Sequence, residues 1–299
     1  MSRTRKVTFF LPIAYLVVVS IFLVWHRIWF SPDQFFAVAL LITLFLGRSK
    51  QFIQDWSVPI VLFLSYDYLR GLVPKLSQQV NIYPMINFDK LFFGAIPTND
   101  LQQFLYSTSS LHWYDYLATA LYMSHFIVPM LVAFIFWLKS KEDFRSYSLA
   151  LLGLSYAAFI TYIIFPAMPP WMAAQQNFIP EVYKIMDKVF ANFSQPIDLP
   201  SVYKFVGANL VAAVPSLHAA YPVLTFLFIA RKYRVKALLI LPYVFGIWFS
   251  IVYLGEHYVF DIVVGVIYAA VVYGLIIKWD LFWQKTIVSF KFINDQINR

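Results

Sequence analysis

Apolar residues fall in long runs separated by polar segments, several of which are short and carry Lys or Arg. With a window of about 20 residues, the length a helix needs to cross a hydrocarbon core, eight such runs can be read. They lie near 8–26, 34–47, 56–74, 117–138, 146–165, 215–231, 235–254 and 258–279. The second is short, and the third carries Asp67 and Arg70 near its end. The pattern predicts an all-α integral membrane protein, a multi-helix transmembrane bundle of about eight spans. The first run follows Arg3, Arg5 and Lys6, as a signal peptide would. It lacks a small-residue cleavage site and ends in Trp25-His26-Arg27-Ile28-Trp29, so it reads as a retained anchor.

Positive charge orients the bundle. With the N-terminus inside, the inside segments hold Arg3, Arg5, Lys6, Arg48, Lys50, Lys139, Lys141, Arg145, Arg231, Lys232, Arg234, Lys236, Lys278, Lys285, Lys291 and Arg299, 16 in all. The outside segments hold only Arg27, Arg70, Lys75, Lys90, Lys184, Lys188 and Lys204, which is 7. Cytoplasmic loops carry the excess of Lys and Arg, so both termini are expected in the cytoplasm. Two outside connections, about 75–116 and 166–214, are long and proline-bearing. Ordered loops of that length are usually functional, and interfacial helices are expected in them. Asn192-Phe193-Ser194 is a formal glycosylation sequon, a match expected near chance frequency. The chain is expected to form a single membrane domain over 1–299. Its N-terminal helices and outside loop occupy 1–115, its core helices 116–279, and a cytoplasmic tail 280–299.

Composition removes several function classes. Of 299 residues, 61% are apolar, 20% aromatic and only 13% charged. A soluble domain averages about 45–50% apolar and about 25% charged, and disordered chains are poor in aromatics. There is no cysteine, which excludes disulfides, thiolate metal sites and a cysteine nucleophile. The net charge of +8 is spread through loops between apolar runs, so it reads as a topology signal and as lipid-headgroup contact, not as a nucleic-acid surface. No G-x-G-x-x-G or P-loop match supports nicotinamide or nucleotide use.

Ionisable residues at the edge of a span are costly and call for a functional reading. His218, His257 and Asp261 stand out. His218 lies in Val214-Pro215-Ser216-Leu217-His218, where Pro215 suits a first helical turn. The free N–H groups of that turn and the helix dipole favour an anion, with an imidazole close by. His257 and Asp261 are spaced i, i+4 and share a helix face. A carboxylate there can bind one imidazole nitrogen and fix the tautomer, leaving the other nitrogen to attack phosphorus. A second imidazole can protonate the leaving alkoxide. The charge count, made on other segments, puts both sites on the outer face. A lone histidine is more often a packing or interfacial residue, and His26 and His112 are read so. His125 is balanced between the two readings. Tyr253 and Trp171 are secondary site candidates, with an interfacial aromatic belt as their alternative.

Pro215-Ser216-Leu217-His218 and Tyr253-x-x-x-His257-Tyr258-x-x-Asp261 resemble the second and third signatures of the type 2 phosphatidic acid phosphatase superfamily. The resemblance covers roughly 146–279. It implies a six-helix phosphatase-like core and a membrane phosphatase or phosphotransferase that acts on lipid phosphates without a metal or other cofactor. By position, His257 would be the nucleophile that becomes phosphohistidine, Asp261 would orient it, His218 would be the general acid, and Ser216 would contact phosphate. The chain departs from the pattern in three places. Leu217 replaces a glycine, Ser250-Ile251 stands where Ser-Arg is usual, and the first motif, Lys-x6-Arg-Pro, is absent. Phe165-Pro166-Ala167-Met168-Pro169-Pro170-Trp171 stands in its place. That segment, Leu217, and Phe88-Asp89-Lys90-x3-Gly94-x2-Pro97-Thr98 look similar to the inositol phosphorylceramide synthase branch.

A phosphoryl group in transfer needs fixed positive donors. Arg70 and Lys90 are the candidates to replace the missing cations. The alternatives are that Arg70 snorkels at a helix end and that Lys90 pairs with Asp89. The expected partners are the bilayer, a phospholipid or lipid-phosphate substrate, and a lipid or polyol alcohol acceptor. Resemblance to the synthase branch favours head-group transfer. A simple lipid phosphate phosphatase shares the same intermediate. A transporter that binds lipid phosphate is the reading from another class, although the polar groups lie at one face and no repeat is visible. A non-catalytic lipid-binding relative also stays open, because two cationic motif positions are lost.

Overall fold

A computed structural model of the chain describes residues 32–76, 79–192 and 209–297. The expected first span, Arg27, Lys204 and the last two residues of the sequon lie outside them. Eleven α-helices occupy the described residues, which contain no strand. They are α1 (Pro32–Phe45), α2 (Ser49–Leu76), α3 (Tyr83–Phe93), α4 (Pro97–Leu105), α5 (Trp113–Lys139), α6 (Lys141–Ile164), α7 (Pro170–Gln175), α8 (Ile185–Ala191), α9 (Leu217–Tyr233), α10 (Leu241–Tyr253) and α11 (Val259–Ile297). A 3₁₀ turn, Arg234–Ile240, joins α9 to α10.

Four helical stretches are long and apolar enough to cross a membrane: Trp113–Lys139, Lys141–Ile164, Leu217–Tyr253 and Val259–Phe282. The third is broken where Arg234 takes a φ of 49°, and its two halves pack on each other. Those halves match the runs read at 215–231 and 235–254. The run at 34–47 forms a helix of 14 residues, about 21 Å long, against about 30 Å of hydrocarbon. α2 has 28 residues and is long enough, but its polar groups leave it less apolar than the other four. The tail from 280 continues α11 as helix to Ile297.

α9 sits at the centre, packed against α5, α6, α10 and α11. Small residues let it do so. Ala219 and Ala220 are fully buried, and Gly265 on α11 approaches so closely that a Cβ there would lie 2.6 Å from the Ser216 carbonyl oxygen. Polar side chains inside the bundle are paired across helices. Tyr147 and Thr225 hydroxyls lie 2.7 Å apart, as do Ser155 and Tyr221. The outer faces are apolar and exposed, as at Val263, Ile267, Val271 and Leu275, four residues apart along α11. Such a stripe fits contact with lipid tails.

The two ends of the bundle differ in charge. Lys232 pairs with Asp143, and Arg231 lies 3.8 Å from Asp280, which puts the α5–α6 turn and the end of α9 at one end. His218 lies one helix length away, at the start of α9. The short helices α3, α4, α7 and α8 belong to the two long connections, as expected of interfacial helices. These connections meet through a bridge from Asn81 to Ala167, and Ala167 also bridges Ala212 within the second connection.

Candidate active site

Ser216 opens α9. Its Oγ accepts the N–H of Ala219 at 3.3 Å, and its own N–H donates to the Asp261 carbonyl at 3.1 Å. The Tyr162 hydroxyl donates to the Pro215 carbonyl at 2.9 Å. The start of α9 is thus tied to both α6 and α11. Its first N–H groups have no partner within the helix, as at any helix start, and the dipole adds to their pull on an anion.

At the start of α11, Asp261 is fully buried and its Oδ2 lies 3.1 Å from His257 Nδ1. The same oxygen accepts the N–H of Tyr258 at 3.0 Å. An ionised carboxylate only accepts, so the proton lies on Nδ1 of His257 and Nε2 is left as an acceptor. His257 Nε2 lies 3.2 Å from His218 Nδ1. In that tautomer His218 donates to His257, and the three side chains form one relay running Asp261, His257, His218. His257 is nearly buried, whereas His218 is partly open.

His218 is also gripped on its faces. The Tyr122 ring stacks on it at 4.1 Å between centroids, and His125 lies at 3.8 Å. His125 donates from Nδ1 to the Tyr122 carbonyl at 2.7 Å. Arg70, in the C-terminal half of α2, lies within electrostatic reach of both His125 and His218, and is bonded to Asp67 at 3.0 Å. Lys90 is exposed in the last turn of α3. Tyr253 is fully buried with its hydroxyl donated to Asp115, which ties α10 to the start of α5. Trp171 is buried and donates its backbone N–H to the Gly255 carbonyl at 3.0 Å.

Two acidic residues were not singled out by sequence reasoning. Asp89 accepts the N–H groups of Val259 and Phe260, at 3.1 and 3.0 Å, and so caps α11 from a helix 170 residues away. It is turned to that helix start, not to Lys90. Burial raises its carboxyl to about 6, against the pull of those two N–H groups, and the nearby Asp261 adds to the rise. Asp89→Ala should cost about 0.5–2 kcal/mol, the range for a lost N-cap, read as a lower thermal transition in detergent. An unchanged transition would remove the capping role. Glu256, next to His257, is raised by burial, while Lys184 and His257 pull it down.

Residues 91–275 match the PAP2 superfamily. A phosphoinositol dihydroceramide synthase of Bacteroides thetaiotaomicron is 26% identical over 246 residues, 79% of this chain and 80% of that one. The catalytic subunit of an inositol phosphorylceramide synthase from Saccharomyces cerevisiae is 25% identical over 180 residues, 56% of this chain and 43% of its own. An inositol phosphorylceramide synthase from Candida albicans is 24% identical over 161 residues, 50% and 33% of the two chains. The chain thus spans less than half the length of either yeast relative. No solved structure matches. The match to residues 91–275 covers more than half of the chain and contains the whole histidine–aspartate relay, and the chain belongs to the PAP2 superfamily.

Proposed function

We propose that this protein is a membrane enzyme of one domain that transfers a phosphorylated head group from a phospholipid to a lipid alcohol, through a phosphohistidine at His257. One observation carries the reading: Asp261, His257 and His218 stand in a single hydrogen-bonded file. The names of the relatives favour phosphoinositol as the head group and a ceramide-like alcohol as the acceptor.

His257 Nε2 attacks phosphorus, and the bond from phosphorus to the donor's lipid oxygen breaks. His218 enters this step as the imidazolium, and its Nδ1 proton passes to that oxygen, so a neutral lipid alcohol leaves and a neutral imidazole remains. In the second half-reaction the acceptor hydroxyl gives its proton to His218, its oxygen attacks phosphorus, and the N–P bond breaks. Asp261 holds the imidazole oriented and balances the charge that forms on it. Each nitrogen works at about 3 Å from its target atom. The 3.2 Å between the two imidazoles leaves no room for phosphorus, so His218 must swing aside on binding. The first N–H groups of α9 and the Ser216 hydroxyl would hold phosphoryl oxygens, with Arg70 supplying positive charge beside them. No step calls for a metal.

Purified protein in mixed micelles, given labelled phosphatidylinositol and ceramide, should form a labelled phosphosphingolipid. Free inositol phosphate as the main product would mean that water and not ceramide takes the group, making it a phosphodiester hydrolase instead. In the same assay Arg70→Gln should raise the donor KM, and an unchanged KM would remove its phosphate role.

The relay is proposed to face away from the cytoplasm, since the Lys/Arg-rich turns lie at the other end of the bundle. The chain has no cysteine, so single introduced cysteines label cleanly. Lys188→Cys and Lys236→Cys, both at exposed sites, should react from opposite sides of sealed vesicles. Labelling of both from one side would overturn this orientation.

A further inference from the structure

In head-group transfer the polar group stays on phosphorus through both half-reactions, while the two lipid alcohols exchange. Whatever reads that group must therefore border His257, away from the leaving oxygen served by His218. The turn before α11 carries Glu256 directly beside His257. The N–H groups of Glu256 and His257 both reach the Ile251 carbonyl at 3.1 Å, which fixes the turn. Gly255 takes a φ of 82°, and a Cβ there would lie 2.8 Å from the Tyr183 carbonyl oxygen. Gln102 locks that contact, with Nε2 donating to the carbonyls of Tyr183 and Tyr253 at 2.8 Å each. The segment leading into α8 is thereby pinned against the turn, and it brings Lys184.

Three kinds of chemistry meet there. Glu256 lies within electrostatic reach of Lys184, and its Oε1 is buried with no protein donor. Such orphaned oxygens are rare and require an explanation. Lys184 Nζ lies 4.8 Å above the Trp171 ring and 3.3 Å from Asp187. Lys184 also borders an open cleft of about 770 Å³, whose lining includes Gln175, Val182 and Tyr183 but neither Glu256 nor Trp171. Clefts of about 300–1,000 Å³ hold small ligands.

We infer that Glu256, Lys184 and Trp171 form the head-group subsite and that it takes a hydroxyl-rich, polyol group. The carboxylate oxygen accepts from one hydroxyl and the ammonium donates to another, with the Trp171 ring beneath the ammonium holding it in place. This rests on the transfer reading above, and it assigns residues to the part of the substrate that the relay does not touch.

The test uses the full chain in detergent and two soluble probes, inorganic phosphate and myo-inositol 1-phosphate, measured by calorimetry. The wild type should bind the inositol phosphate at least about 10-fold more tightly, as expected where buried polar groups are built to meet hydroxyls. Glu256→Gln and Lys184→Met should each shrink that preference to about 2-fold or less. Should one variant fail to fold, the other carries the measurement. Equal affinity for both probes in the wild type overturns the subsite and leaves the phosphoryl site standing. A preference that survives in both variants overturns the residue assignment. No binding of either probe would overturn the transfer reading itself, and the subsite with it.

Discussion

Replacing His257 with alanine is expected to abolish head-group transfer, with a loss on the order of 10⁴-fold or more. Nothing else in the relay offers a nucleophile aimed at phosphorus, and Asp261 without its imidazole has no group to orient. The fold should survive. Asp261 keeps the Tyr258 N–H at 3.0 Å, so the losses are the hydrogen bonds of His257 to Asp261 and His218, and the cost should be about 1–3 kcal/mol. Turnover and thermal unfolding, measured on one preparation, separate the two effects. A well-folded His257→Ala protein that still transfers would remove the nucleophile from this position.

The second large effect depends on the leaving group. His218→Gln should slow transfer from a natural phospholipid by about 10²–10⁴-fold, the span for loss of a general acid. A lipid alkoxide is a poor leaving group and needs the proton. A nitrophenyl phosphodiester does not, so with that donor the same variant should lose less than about 10-fold in forming the phosphoenzyme. Equal losses with both donors would mean that His218 holds the site together and delivers no proton. The stacking of Tyr122 and the closeness of His125 make this control necessary, since glutamine also removes a packed ring.

The relay was legible in the sequence because its parts are local or share one face. His257 and Asp261 are one helical turn apart, and a Pro-Ser opening places His218 at a helix start. The charge count put both helix starts at one end of the membrane without reference to either motif. Helix positions in the long apolar runs followed for the same reason, since each run satisfies its backbone within itself. Asp89 was not legible as a cap, because its partners lie 170 and 171 residues away and nothing in Phe88-Asp89-Lys90 points to them. Its neighbour Lys90 drew attention as a cation, yet in a helix adjacent residues face different ways, and here the acid turns in and the base turns out. Tyr253 was a secondary site candidate, with an interfacial aromatic belt as its alternative. Its hydroxyl instead bonds Asp115, a pairing set by packing between α10 and α5. The cluster at Glu256 escaped for a similar reason. It depends on Gln102 and Gly255 bringing three distant segments together, and no spacing along the chain records that.

The most direct test is to trap the intermediate. Protein incubated with phosphorus-labelled donor and excess chelator, then quenched in base, should carry label that is stable to base, labile to acid and located on His257. Added ceramide should chase that label into a new lipid. Label that forms only with a divalent ion, sits on another residue, or never forms while turnover proceeds would contradict a phosphohistidine route.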